Sequence, residues 1–365
     1  MKPRVIIGFQ LPTDNVYAVG GYCAAEMAFD NANRTVGEGE LPVHIELIPI
    51  IDGRDPAVAI PAARDFTALD NVIAVLGPTN SAMAVITQEI YHEAGLLQLS
   101  SEASSPLLTS RGFENFYRTV ANDEHQGRAL AQVAVKYLEA ERIAVINEDS
   151  AWGEPIARIF AKEATALGRP PVLHFGFGER ENDLDFDAVI EATLDAKPDL
   201  VYFAVYWNKT HILTHRLRDR GLDAVFLGSD ALKPYEFLEV PSLDTRKPYH
   251  SLAGIDPRVA PSAKSFLLEL ADKFPLMLGA PQYAAEAYDC ANLIVECIRR
   301  AETTDRSGVL AAMKTIKQFD GAIGTIAFDE HGDLIQPEIG LFQSSDGQRN
   351  YIGSIADLVS AKAQN

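Results

Sequence analysis

The stretch from Val72 to Pro106, VIAVLGPTNSAMAVITQEIYHEAGLLQLSSEASSP, constrains the fold more than any other part of the sequence. Two short apolar runs, Val72–Leu76 and Leu96–Leu99, stand on either side of the helix-length segment Ala82–Ala94. Each run leads into a short polar loop that contains serine. This pattern is typical of consecutive strands joined by a crossover helix in a parallel sheet. The stretch therefore predicts an α/β fold built on parallel sheets.

The two polar loops, Thr79-Asn80-Ser81 and Ser100–Ser105, are the first candidates for a binding site. Parallel strands end at one edge of a sheet, and open α/β sheets bind ligands at that edge. Because the first N–H groups of a helix have no intrahelical partner, serine hydroxyls beside a helix start suit an anion. The alternative is structural: Ser81 would be an N-cap and Ser100–Ser105 an ordinary loop. The residues leave both interpretations open.

The same alternation of strand and helix patterns runs through most of the chain. It begins with strand-like Val5–Phe9 and starts afresh at Arg142–Asn147. Two successive sets of βα units of similar size predict two doubly wound, Rossmann-like lobes. The 365 residues are sufficient for two domains that each bury a full core. Near the end, Gly324–Phe328 and Ile339–Phe342 are predicted to form a hairpin around the turn Asp329–Asp333.

The composition excludes several classes of protein. A formal net charge of −19 argues against a nucleic-acid partner, which needs a basic face. No segment approaches the roughly twenty apolar residues that cross a membrane. The three cysteines form neither a CxxC pair nor a metal-ligand spacing, so no metal site is expected. No signal peptide is visible, because Val5–Phe9 begins almost at Met1. We therefore expect either a periplasmic protein whose leader is absent from this sequence or a cytoplasmic protein.

The motifs of common enzyme classes are missing from the sequence. No G-x-G-x-x-G follows the first strand, and neither a P-loop nor a G-x-S-x-G elbow is present. The loops at the strand ends offer no histidine that could act as a base beside a nucleophile. We therefore expect a binding protein without catalytic residues or cofactors.

Loops at the carboxyl ends of the predicted strands supply a candidate binding site. Taken strand by strand, they contribute Tyr17, Ser81, Glu102, Ser104, Trp152, Tyr206 and Asp230. A zwitterion would fit this set, with its carboxylate at the serines and N–H groups of the first lobe and its ammonium group at Asp230. The aromatic rings would pack on the apolar part of the ligand, although any one ring could equally belong to a core.

Several short motifs, in their order and spacing, resemble the solute-binding proteins of branched-chain amino acid ABC transporters. These form the leucine/isoleucine/valine-binding group of the type I periplasmic-binding fold. The resemblance covers nearly the whole chain. Its markers are Asp55-Pro56, Gly77 with Ser81, Ser105-Pro106-Leu107-Leu108-Thr109, Phe116-Tyr117-Arg118-Thr119, Gln126-Gly127, Trp152-Gly153-Glu154, Phe226-Leu227-Gly228 and Phe328-Asp329-Glu330-His331-Gly332-Asp333.

This resemblance implies two discontinuous lobes joined by three crossings of the chain, near Asn122, Ala253 and Asp329. Residues 1–122 and 254–328 would form the lobe on the carboxylate side of the ligand. Residues 123–253 and 329–365 would form the lobe on the ammonium side. Proteins of this group bind the ligand in the cleft between the lobes and close on it by hinge motion.

The resemblance also implies roles for single residues. Ser81 and Ser104 match the hydroxyl residues that hold the α-carboxylate of the ligand. Asp230 matches the acidic residue that takes the ammonium group, with Tyr206 at the end of the preceding strand. The aromatic residues over the ligand correspond to Tyr17, Trp152 and Tyr283.

Three departures from the group's pattern bear on the ligand. Glu102 replaces a small residue, which leaves room for a ligand with a second polar or cationic group. Asp230 replaces glutamate and is one methylene shorter, so the ammonium group must sit closer or a water must intervene. Arg54 and Asn80 stand where the group has a small disulfide, which keeps a cytoplasmic location open.

The leading hypothesis is a substrate-binding component of an ABC importer for an amino acid or a similar compound, with permease subunits as partners. A cytoplasmic ligand sensor of the same fold, like the amide-responsive regulators, is the second hypothesis. An enzyme on an α/β scaffold is the third, and turnover of a bound ligand would reveal it.

Overall fold

A computed structural model describes residues 2–178, 186–232, 248–277, 282–345 and 348–364 of the chain. These residues form two compact units, each built from two separate stretches of the chain. Lobe I comprises Met1–Ala121 and Asp256–Gln336, and lobe II comprises Asn122–Ile255 and Pro337–Asn365. None of the helices in the described part of the chain has the length and hydropathy needed to span a membrane.

Strands and helices alternate along most of both lobes. The strands are β1 (Arg4–Leu11), β2 (His44–Ile51), β3 (Val72–Leu76), β4 (Leu97–Ser100), β5 (Phe116–Arg118), β6 (Ile143–Asp149), β7 (Leu173–Gly178), β8 (Leu200–Ala204), β9 (Val225–Gly228), β10 (Tyr249–Leu252), β11 (Phe319–Gly321), β12 (Gly324–Ile326), β13 (Gly340–Ser345) and β14 (Gln348–Ser354). The helices are α1 (Val16–Arg34), α2 (Pro56–Thr67), α3 (Ser81–Glu93), α4 (Leu107–Ser110), α5 (Asp123–Gln132), α6 (Gly153–Ala166), α7 (Phe186–Ala196), α8 (Trp207–Asp219), α9 (Lys264–Lys273), α10 (Ala284–Arg300), α11 (Arg306–Met313) and α12 (Ile355–Lys362).

The sheet of lobe I is parallel throughout and has the strand order β2-β1-β3-β4-β5. All five residues of β3 are buried, as expected for a central strand that is covered on both faces. Helix α2 begins at Pro56, because the Asp55 side chain accepts a hydrogen bond from the Ala57 N–H and proline suits the first turn of a helix. One face of the sheet packs on α1 and on α10, which the chain adds much later.

The sheet of lobe II has the order β14-β13-β10-β9-β8-β6-β7. Its strands from β10 to β7 run parallel, whereas β13 and β14 pair antiparallel at one edge. The α/β class and the two successive sets of βα units therefore agree with the sequence pattern. The antiparallel edge does not follow from that pattern, since its strands come from the last stretch of the chain.

The predicted hairpin of Gly324–Phe328 with Ile339–Phe342 is wrong. In the structure, β12 pairs with β11, and β13 pairs with β10 and β14 of the other lobe. The turn at Asp329–Asp333 exists, because the Asp329 carboxylate accepts hydrogen bonds from the N–H groups of His331 and Asp333. It closes the single bridge between Phe328 and Leu334.

The last crossing of the chain also lies later than expected, after Gln336 rather than near Asp329. Residues 329–336 stay with lobe I because they bind β5 there. The Arg118 N–H donates to the Gly332 carbonyl oxygen, and Arg118 Nε donates to Asp333 Oδ1 at 2.5 Å. Gly332 is required at this approach, since a Cβ atom would lie 2.1 Å from the Phe116 carbonyl oxygen and φ is +90°.

Candidate functional site

The two serine-containing loops of lobe I lie side by side, as the parallel strands predict. The Ser105 N–H donates to Ser81 Oγ at 3.2 Å, and Ser100 Oγ donates to the Pro78 carbonyl oxygen at 3.3 Å. Ser81 and Ser104 are 5% and 4% exposed. Ser81 is not the N-cap of α3, because that place is taken by Asn80, whose Oδ1 accepts from the Met83 N–H at 3.0 Å. The purely structural interpretation of Ser81 as a cap is therefore wrong.

A buried arginine fixes the loop that carries Ser104. Arg118 Nη1 donates to the carbonyl oxygens of Ala103 and Ser105 at 3.1 and 2.9 Å. Its Nη2 donates to Thr109 Oγ1 at 2.8 Å, and the ion pair with Asp333 fixes the guanidinium at its other end. Two of the motifs noted in the sequence, around Arg118 and around Asp333, thus meet in one network that supports the loop.

Tyr17 and Tyr283 begin two helices of lobe I that pack on each other. Both side chains are 2% exposed. Asn15 caps α1 and accepts a hydrogen bond from the Tyr17 N–H at 3.0 Å. Gly21, one turn further along α1, passes so close to α10 that a Cβ atom there would lie 3.3 Å from Ala287 Cβ and 4.0 Å from the Tyr283 carbonyl oxygen. Tyr283 has the left-handed φ of +63°, which few non-glycine residues adopt.

The start of α10 carries two buried polar side chains that sequence reasoning missed. Gln282 and Glu286 are 2% and 1% exposed. Glu286 Oε2 and both side-chain amide atoms of Gln282 make no hydrogen bond within the described residues. Burial raises the pKa of Glu286 to about 8, and the carboxyl groups of Asp289, Asp256 and Glu102 add to this increase. The signal available in the sequence was a glutamine directly before Tyr283 and a glutamate three residues after it.

Glu102 lies on the loop after β4 and is half-buried. The N–H groups of Glu102 and Ala103 donate hydrogen bonds to Ser100 Oγ, with N···O distances of 3.4 and 2.9 Å. Thr119, which follows β5, connects this loop to the start of α10, because its N–H donates to the Ser100 carbonyl oxygen and its hydroxyl donates to the Glu286 carbonyl oxygen at 3.1 Å. Glu102 and Glu286 therefore belong to one acidic region of lobe I.

In lobe II, Trp152 and Tyr206 form a pair of aromatic rings with centroids 5.0 Å apart and planes at 32°. They stand at the starts of α6 and α8, after the neighbouring strands β6 and β8. Gly153 permits this arrangement, since a Cβ atom would lie 2.5 Å from the Glu148 carbonyl oxygen and 2.8 Å from that of Ala204. The structure therefore brings these two predicted site residues together.

Asp230 follows β9 and is positioned by α5. Gln126 Oε1 accepts hydrogen bonds from the Asp230 N–H at 3.2 Å and from Ser251 Oγ at 2.6 Å. Burial, followed by the charges of Asp123 and Asp230, raises the pKa of Tyr202. The fully buried carboxylate of Asp123 therefore lies in the same region as that of Asp230. Asp123 was not among the predicted site residues, and in the structure it is the first residue of α5.

Each lobe thus presents a distinct chemical face at the carboxyl ends of its strands. Lobe I offers serine hydroxyls, the free N–H groups at the start of α3 and an acidic region at α10. Lobe II offers two aromatic rings and two carboxylates. No group of three or more His, Cys, Asp or Glu side chains suited to a metal occurs in the described parts of either lobe. The groups on lobe I suit a charged part of a small molecule, and those on lobe II suit a cationic group beside an apolar body.

Comparison with known proteins identifies a family and relatives that match most of the chain. A family model for periplasmic binding proteins matches residues 7–348. A Leu/Ile/Val-binding protein homolog of Brucella melitensis is 29% identical over 298 residues, which are 81% of this chain and 79% of that protein. Another homolog, from Brucella suis, is 28% identical over 358 residues, or 95% of this chain and 93% of its own length.

Solved structures with the same fold cover nearly all of the chain. A leucine-binding protein, LivK, from Thermotoga maritima superimposes with a TM-score of 0.84 at 23% identity, over 96% of this chain and 98% of that one. A solute-binding protein from R. palustris in complex with benzoate gives a TM-score of 0.82 at 17% identity, over 96% of each chain. Because the family model spans almost the whole sequence and the two-lobed architecture agrees with it, the chain belongs to the periplasmic binding protein family.

Proposed function

We propose that this protein is the solute-binding component of an ABC importer and captures an amino acid or a closely similar small molecule. The observation that carries the proposal is that lobe I has serine hydroxyls beside a helix start, while lobe II has carboxylates and a pair of aromatic rings at its strand ends. The relatives named as Leu/Ile/Val-binding homologs support it. Permease subunits would be its partners and the periplasm its location, and the protein would bind its ligand without chemical change.

In this proposal the α-carboxylate of the ligand lies at Ser81 and Ser104 of lobe I. The free N–H groups at the start of α3 add partial positive charge there. The ammonium group binds Asp230, which Gln126 positions through the backbone. Tyr17, Trp152, Tyr206 and Tyr283 surround the apolar part of the ligand, and Glu102 contacts its far end.

A thermal-shift screen tests the ligand class first. The panel contains the proteinogenic amino acids, their amides, and carboxylates or amines that lack one of the two charged groups. A ligand that binds only the folded protein adds about 2.7 kcal/mol of stability at a hundredfold excess over Kd. We expect a shift with free amino acids and none with compounds that lack either charged end. Shifts with amides alone would favour the cytoplasmic sensor hypothesis instead.

Replacement of Asp230 tests the ammonium contact. We expect Asp230→Ala to weaken binding of the amino acid found in the screen by about 2 kcal/mol or more, because a buried ammonium group loses its charge partner. Asp219→Ala, an exposed position on α8, serves as the control and should keep the wild-type Kd. Unchanged affinity of Asp230→Ala in calorimetry would refute the proposed role of Asp230.

Replacement of the serines tests the carboxylate contact. Ser81→Ala and Ser104→Ala should each weaken the binding free energy by about 1 kcal/mol, the usual contribution of a single hydrogen bond. The melting temperature of the free protein should change little for Ser104→Ala, and Ser110→Ala at the exposed end of α4 is the control. A serine variant that melts well below wild type while keeping its affinity would show a structural role only.

A further inference from the structure

Lobe I contains buried polar atoms to which the described residues offer no hydrogen-bond partner. Glu286 Oε2 and both amide atoms of Gln282 are buried and make no hydrogen bond within the described residues. Buried polar groups are almost always satisfied, by protein, water or ligand. Gln282 directly precedes Tyr283, and Glu286 lies in the first turn of α10. Unpaired acceptors at such a place, next to the Tyr283 of the predicted site, indicate a ligand group.

The charges around Glu286 indicate the kind of group. The carboxyl groups that act on it are those of Asp289, Asp256 and Glu102. The Asp289 oxygens accept hydrogen bonds from the N–H groups of Ala322 and Ile323 at 2.8 Å, and Asp256 pairs with Arg258. Four carboxyl groups thus lie in one region and act on one another, which favours a cationic over an anionic ligand group.

We propose that Glu286 and Gln282 form a subsite for a second cationic nitrogen on the ligand, so that the protein takes a diamino acid of the lysine or ornithine type rather than an aliphatic amino acid. This inference rests on the proposed function, since the α-amino and α-carboxylate groups are held as described above. Glu286 supplies the counter-charge, Gln282 Oε1 supplies a second acceptor, and the half-buried Glu102 adds negative charge.

Isothermal titration calorimetry with matched ligands tests the proposal. Lysine and norleucine have the same unbranched carbon side chain and differ in the terminal ammonium group, which norleucine lacks; glutamine offers a neutral donor. We expect lysine to bind wild type about tenfold or more tighter than norleucine and glutamine, because a buried carboxyl and an ammonium group satisfy each other. Equal or weaker binding of lysine would overturn the proposal.

Two variants test whether Gln282 and Glu286 cause the preference for lysine over norleucine. Glu286→Gln keeps the shape of the side chain and removes its charge, and Gln282→Met removes the amide. Each variant should weaken the binding of lysine by about tenfold or more and change the Kd of norleucine by less than about threefold. Glu296→Gln is the control, because Glu296 lies on the same helix and pairs with Arg299 and Arg300. Equal losses for lysine and norleucine would mean that the residues only support the fold, and would overturn the proposal.

The number of protons released when the ligand binds provides a further test, because a purely structural role of Glu286 would not affect it. With a pKa of about 8, Glu286 is mostly protonated at pH 7 in the free protein, beside Glu102, Asp256, Asp289 and Cys290. A bound ammonium group favours the ionised carboxylate, so lysine should release about one proton at pH 7. Calorimetry in buffers of different ionisation enthalpy measures this release, which norleucine and the Glu286→Gln variant should lack. Release by norleucine as well would contradict the subsite.

The same titrations separate this inference from the proposed function. Binding of leucine or norleucine without any preference for lysine would leave amino-acid capture standing and would overturn only the cationic subsite. Failure of every amino acid in the panel would overturn both.

Discussion

At the residue scale, Arg118 shows how a buried charge can organise a binding loop. Its guanidinium is fully buried and contacts two loop carbonyls, a threonine hydroxyl and the Asp333 carboxylate. Only arginine presents several N–H donors in a rigid fork, so lysine cannot reproduce these contacts. The position of Ser104 therefore depends on a residue that does not itself belong to the proposed site.

We expect Arg118→Lys to lower the free energy of unfolding by about 2–4 kcal/mol, because it leaves buried acceptors without donors. Urea denaturation measures the loss. Hydrogen exchange should also speed up at residues 100–109, since the loop loses its supports. Arg111→Lys, at an exposed position beside the same loop, should stay close to wild type. Wild-type stability of Arg118→Lys would show that the network contributes little.

At the element scale, strand and helix patterns predicted most of the fold, but pairing within lobe II depended on contacts that no local pattern contains. Strand β3 lies where its apolar run predicts, because an apolar run is a local property of the sequence. The partners of β13 were wrongly assigned, since a turn at Asp329–Asp333 looks the same whether or not a hairpin surrounds it. In the same way, Glu286 looked like any glutamate near a helix start, and only tertiary packing buries it.

Helices α5 and α6 provide the test at this scale. They approach each other at Gly127, where a Cβ atom would lie 2.9 Å from Ile159 Cγ2. We expect Gly127→Leu to lower the free energy of unfolding by about 1–3 kcal/mol, since the added atoms force the helices apart. Arg128→Leu adds a similar side chain at the next, solvent-facing position and should change stability by less than about 0.5 kcal/mol. Equal urea midpoints for both variants would contradict close packing at Gly127.

At the scale of the whole molecule, each lobe buries ionisable groups that limit stability at opposite ends of the pH range. In lobe I, burial raises the pKa of Glu286 to about 8 and that of Asp289 to about 7. In lobe II, burial lowers the pKa of His250 to about 3, and nearby Arg349 contributes to the same decrease. Acids with raised pKa values cost stability as pH rises, and a histidine with a lowered pKa costs stability as pH falls.

We therefore expect the free energy of unfolding to decrease as pH rises from about 5 to 8 through Glu286 and Asp289, and as pH falls from about 6.5 to 3 through His250. Glu286→Gln should flatten the first decrease and leave the second. His250→Phe, which keeps the ring beside Phe342, should do the reverse. Urea midpoints measured between pH 4 and 9 provide the check. Parallel profiles for wild type and both variants would show that other groups control the pH dependence.

The discontinuity of lobe I has a consequence for the newly made chain on the ribosome. All five strands of its sheet are made by residue 118, yet the apolar face beside α1 is covered by α10, which ends at Arg300. At synthesis rates of about 5–20 residues per second, roughly 10–40 s pass between the synthesis of the last strand and the synthesis of the helix that covers this face. During this interval the nascent sheet exposes an apolar surface to any chaperone or neighbouring nascent chain, and lobe I completes its folding only after most of lobe II has been translated.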